Sequence, residues 1–159
     1  MALVKRSDKV AFLETATGVY SRMKGFTSMS IAKNPREYNR QYVDDNFETT
    51  DVVGYTQSID YAFDEDDANA AHTKIVTITD GELTDDDALV TIVQVDFTTA
   101  GVPANSFVAT KRQFAVVPST EGDGAEAYTH SGSFKVKGAR IPGTVTTTDA
   151  WATCAFLAD

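Results

Sequence analysis

Strict alternation is the feature that most constrains this chain. From Val52 to Phe63, the residues Val53, Tyr55, Gln57, Ile59, Tyr61 and Phe63 share one face of an extended segment, while Thr56, Ser58 and Asp60 share the other. Successive side chains of a strand point to opposite faces, so a period of two over this length marks a long, half-buried strand. Thr27–Ala32 repeats the pattern with Met29 and Ile31 on one face, and Asn34-Pro35 ends it. Further strands are expected over Ala88–Phe97, Phe107–Val117, Glu126–Lys137, Val145–Thr148 and Trp151–Leu157. Ala88–Phe97 is apolar on both faces, which predicts coverage from both sides or burial in an interface.

One helix interrupts the strands. After Asp64-Glu65-Asp66-Asp67, the residues Ala68, Ala70, Ala71, Ile75 and Ile78 predict a helix over about 66–82, capped by Asp66 or Asp67 and ended at Asp80-Gly81. Residues 1–25, broken by Gly18 and Gly25, read as an arm or loop with a short element. The expected fold is mainly β: an antiparallel β-sandwich or barrel with one flanking α-helix and an extended N-terminal arm or long loop. At 159 residues the chain is read as one domain, 1–159, large enough to bury a core without staples. Cys154 sits in the apolar run Trp151–Leu157 as a small buried hydrophobe. No signal-peptide core follows the N-terminus and no apolar run reaches bilayer length, so a soluble, cytoplasm-made protein without membrane insertion is expected.

Charge is unevenly distributed. Residues 1–43 carry eight bases and three acids, 44–96 one base and fifteen acids, and 97–159 five of each. An acidic chain with a basic first quarter is poorly suited to gripping phosphate backbones. It suits self-association, with the basic segment of one copy meeting the acidic segment of the next. On this reading Lys33, Arg36 and Arg40 contact acids of a neighbouring subunit within 44–87. Tyr38 and Tyr42 beside them serve either as strand packing or as interface anchors.

Catalytic constellations are not visible. His72 and His130 have no nucleophile motif near them and read as surface or hydrogen-bonded histidines. The acidic runs at 64–67 and 80–87 lack the calcium-loop spacing and are explained by capping and turns. One Cys and two distant His do not make a zinc site. No phosphate loop or dinucleotide fingerprint occurs, so no cofactor and no enzymatic activity are expected.

The segment Lys33-Asn-Pro-Arg-Glu-Tyr-Asn-Arg-Gln-Tyr-Val-Asp-Asp45, following Arg22-Met-Lys-Gly-Phe-Thr-Ser28, resembles the start of major tail tube proteins of tailed bacteriophages, of the siphophage type from Gram-positive hosts. The similarity continues through His72–Leu83, Ala88–Phe97 and Tyr128–Phe156, with Gly138-Ala-Arg-Ile-Pro-Gly-Thr-Val-Thr146 in the last. The resemblance implies a virion protein forming stacked hexameric rings, a hollow tube through which DNA passes, and tape measure and terminator proteins as further partners. It also implies that neighbouring sheets join into one inner barrel and that an arm or long loop reaches an adjacent ring. In such a tube, acids on the lumen wall would repel phosphates, and Asp60 and Asp96, on strand faces opposite the more apolar ones, are the candidates. Two other readings remain open: the inner tube of a contractile tail or phage-derived injection particle, and a monomeric carbohydrate- or protein-binding β-sandwich.

Overall fold

The computed structural model describes residues 2–102 and 104–159. Eleven strands form among them: β1 (Lys9–Ala16), β2 (Val19–Arg22), β3 (Phe26–Ala32), β4 (Pro35–Arg40), β5 (Thr49–Tyr55), β6 (Ser58–Asp64), β7 (Leu89–Ala100), β8 (Phe107–Glu121), β9 (Thr129–Val136), β10 (Ile141–Thr146) and β11 (Thr153–Ala158). The helix α1 spans Ala70–Asp80.

Nine strands make one antiparallel sheet in the order β10-β11-β2-β1-β7-β8-β9-β6-β3, and β10 pairs again with β8. That second pairing closes β10, β11, β2, β1, β7 and the first half of β8 into a six-stranded barrel. The second half of β8, from Phe114, pairs with β9 and carries the sheet on through β6 to β3. The strands β4 and β5 form a separate hairpin. The expected antiparallel, barrel-like β fold with one flanking helix is the fold observed.

The strands β1 and β7 serve two cores. On the barrel side, Phe12, Val93 and Val95 pack with Tyr20, Ala109, Val145 and Cys154. On the other side, Ala11, Leu13, Val90 and Ile92 join Ile59, Tyr61, Phe63, Phe114, Val116 and Phe134, covered by Ala71, Ile75 and Ile78 of α1. The two-sided apolar pattern of Ala88–Phe97 is thus met by coverage from both sides. Burial pushes the Cys154 thiol pKa up to about 12, with the Asp149 carboxylate adding to the shift, so it packs as a hydrophobe.

Three expectations need correction. Where an arm or loop with a short element is expected over 1–25, β1 and β2 form a hairpin about Gly18, whose φ of +75° suits the turn, and β1 is central in the sheet. The Val52–Phe63 run is two strands, not one. Thr56 and Gln57 separate β5, in the hairpin, from β6, in the large sheet, so Val53 and Tyr55 are exposed while Ile59, Tyr61 and Phe63 are buried. The helix is capped by Asn69, whose Oδ1 accepts from the N–H groups of Ala71 and His72, rather than by Asp66 or Asp67.

Barrel closure depends on Gly143, where a Cβ would run into the Leu157 carbonyl and the Phe156 ring on β11, whereas at Gly138 the nearest atom, Gln113 Cβ, is 3.6 Å from such a Cβ. In urea unfolding, Gly143→Ala is expected to lower stability by about 1–3 kcal/mol, typical of overpacking, with Gly138→Ala changing it by less than about 0.5 kcal/mol.

Candidate functional site

The hairpin β4–β5 projects from the sheet with large apolar residues in water. Tyr38, Tyr42, Val43, Phe47, Val52, Val53 and Tyr55 are all exposed, Phe47 to 82%. An uncovered set of this kind marks a surface that meets a partner. Its cationic residues are already placed. Arg40 Nη1 reaches Asp51 Oδ2 on the facing strand at 2.5 Å, its Nε donates to the Tyr42 hydroxyl at 2.8 Å, and its guanidinium lies 5.2 Å from the Tyr38 ring centre. The hydrogen bond that Arg40 donates to Asp51 raises the Arg40 pKa still further. Arg36 lies over Gly54, where a Cβ would meet its Nη2 at 2.9 Å. The structure therefore brings Tyr38, Arg40 and Tyr42 together, and gives Arg40 its 44–87 acid within the same chain.

Lys33 stands apart, before the hairpin, where it lines a groove. The helix fills only one end of the concave face formed by β1, β7, β8, β6 and β3. At the other end, two adjoining cavities of about 260 and 530 Å³ share Gln94, Thr110 and Arg140. Ala11, Met29, Ile31, Ile59 and Val108 make the apolar floor. Five cations, Arg6, Lys9, Lys33, Arg112 and Arg140, line it against one carboxylate, Asp96. Arg112 is held by the Gly138 carbonyl at 2.9 Å and by Gln57 Oε1 at 3.4 Å, and Lys9 stands 3.8 Å from Asp96. The side chains of Arg112 and Thr110 share their strand face with Phe114 and Val116, so alternation along β8 carried a signal for this site.

The two acids expected on one wall lie on opposite faces of the sheet. Asp60 is exposed on the face of β6 away from Ile59, Tyr61 and Phe63, and accepts from the Ser133 hydroxyl at 2.8 Å. Asp96 shares its face of β7 with Val90 and Ile92 and lies in the groove. Bonds from the Thr98 hydroxyl and N–H hold its pKa below the usual carboxylate range.

Neither histidine is a surface residue. Both flank Phe63, with ring centres 4.3 Å away for His72 and 5.1 Å for His130. His130 Nε2 lies 2.9 Å from Glu65 Oε1 and Nδ1 3.7 Å from Glu121 Oε2. His72 Nδ1 accepts from the Asp66 N–H at 3.2 Å, which leaves the proton on a buried Nε2 whose interaction with the Lys24 carbonyl falls short of hydrogen-bond geometry. These contacts spend the imidazoles on packing and loop anchoring.

No family model and no curated protein matches the chain. Among solved structures, the fold is similar to a chain of the tail of an empty GTA particle, determined by helical refinement with C6 symmetry. The likeness has a TM-score of 0.58 at 12% identity, and covers 87% of this chain and 97% of that one. At this identity the likeness is one of fold.

Burial lowers the His72 pKa below its ordinary 6.5, partly opposed by the Lys24 carbonyl. The unfolded chain then takes up a proton at a higher pH than the folded one, so the stabilising neutral state is fully held above 6.5 and lost as pH falls through the folded pKa. Urea midpoints measured across this acidic window are expected to drop more steeply for the wild type than for His72→Phe. Parallel profiles would show that His72 does not titrate between the folded and unfolded states.

Proposed function

We propose that this protein is a structural tail subunit that self-assembles into stacked hexameric rings, forming the hollow tube through which a phage or phage-like particle delivers DNA. The reading is non-catalytic, and places the protein in the virion tail with itself as principal partner and with tape measure and terminator proteins at the ends of the tube.

The observation that carries it is uncovered surface on a fold similar to a C6-symmetric tail. The chain exposes 9957 Å² at 17.2 kDa. A compact monomer of this mass exposes about 7,800 Å². The excess is larger than the roughly 800 Å² that each partner buries in a standard protein interface, and the projecting β4–β5 hairpin contributes to it. A second support is β3, which among the described residues pairs with β6 alone and is the outer strand of the large sheet. Phe26–Ala32 contains no charge and no proline, so it lacks the devices that keep monomeric sheet edges from pairing. In a ring, β3 meets the sheet of the next subunit and the hairpin reaches the adjacent ring. Asp60, exposed among Ser30 and Ser133 on the face opposite the apolar core, is the acid that faces the lumen on this reading.

Electron microscopy of the concentrated protein is expected to show rings or tubes. Replacing residues 36–54 with a short Gly-Ser linker should leave the thermal midpoint nearly unchanged, because the hairpin belongs to neither core, and should abolish assembly. A wild-type protein that stays strictly monomeric, with or without an initiating tail complex, would contradict the reading.

A further inference from the structure

We infer that the cationic groove is the receptor for the acidic turn Glu82–Asp87 of a second copy of this chain. The inference rests on the self-assembly reading and adds the contact that sets its polarity.

Charge complementarity and position argue for this occupant. The groove holds Arg6, Lys9, Lys33, Arg112 and Arg140 around an apolar floor, in a chain whose net charge is −9. Among the described residues, only Lys9 of the five has a carboxylate partner in its own chain, and that pair is loose at 3.8 Å. Glu82, Asp85, Asp86 and Asp87 are exposed on the turn between α1 and β7, with no ion pair among the described residues. Within one chain, the turn and the Lys9–Asp96 end of the groove stand apart. The turn abuts Leu89 at one end of β7 and the groove surrounds Gln94–Asp96 towards the other. Asp96 lies seven residue steps beyond Leu89, roughly 23 Å at the rise of an extended chain. In a head-to-tail arrangement each copy places its turn in one neighbour and receives a turn from the other, as a propagating assembly requires. Leu83, exposed on the same turn, supplies an apolar side chain for the floor. The acidic surface disfavours the other polyanion, nucleic acid, as the occupant.

Carbodiimide cross-linking of an equal mixture of ¹⁴N- and ¹⁵N-labelled full-length protein tests the contact without requiring tubes. Light–heavy peptides joining Lys33 or Lys9 to Asp85, Asp86 or Asp87 are expected. Their yield should fall about tenfold or more in Lys33→Glu/Arg140→Glu and in Asp86→Lys/Asp87→Lys, since like charges then face each other. An equal mixture of the two variants should restore joined peptides, now between position 33 and positions 86–87, because each groove again meets a turn of opposite sign. All four substituted residues are exposed, so the folded state tolerates the changes. Tubes without these cross-links, or cross-links indifferent to both reversals, would overturn the contact and leave the tube reading standing. Charge-dependent cross-links without rings or tubes would uphold the contact and remove the tube reading. Duplex DNA that binds the wild type but not Lys33→Glu/Arg140→Glu, with no cross-links formed, would reassign the groove to phosphates.

Discussion

The whole arrangement depends on strands that are apolar on both faces. A sheet with one wet face needs one cover; β1 and β7 need two, and the chain provides them by different means. The barrel closes on Phe12, Val93 and Val95 by curling the sheet until β10 meets β8. The opposite face is covered by α1 together with the sheet's own extension through β9 and β6. Because β8 leaves the barrel at about Phe114 to pair with β9, one strand ties the two cores together. A mutation in either core therefore strains the strand that frames the other.

How much of this was legible follows from which contacts are local. Alternation found β3 and β9, and β-branched and aromatic content found β7 and β8, because each carries its signal in its own residues. Alternation merged β5 with β6 because Tyr55 and Ile59 are in phase across Thr56-Gln57, and only the absence of a covering partner makes Val53 and Tyr55 surface residues. The N-terminal strands were missed for the converse reason. Ala11-Phe12-Leu13 is apolar on successive positions, which has no period of two, and becomes intelligible once both faces of β1 are seen to be buried. The same residues show why Gly18 was a turn rather than the mark of an arm.

The candidate site was half visible. Lys33, Arg36, Tyr38, Arg40 and Tyr42 were singled out by charge and by resemblance, and four of them lie on the exposed hairpin. What sequence spacing does not contain is the cross-strand register that sets Asp51 opposite Tyr38 and brings Arg40 within reach of it. The groove was hidden by sequence distance, since Arg6, Lys33, Arg112 and Arg140 converge only when β3 and β8 face each other across the uncovered end of the concave face.

On the proposed reading, that uncovered end connects fold to assembly. An eleven-residue helix is about 16 Å long at the standard rise, shorter than the face carried by the twelve-residue β7. Part of the second core is therefore closed by α1 and part is left open, and the open part carries cations where a finished core would carry aliphatic side chains. Covering it with more helix would stabilise the monomer and remove the proposed receptor. The hairpin shows the same trade in a different form, since its aromatic residues contribute nothing to either core. On the proposed assembly, both features would release on association free energy that the isolated chain leaves unspent.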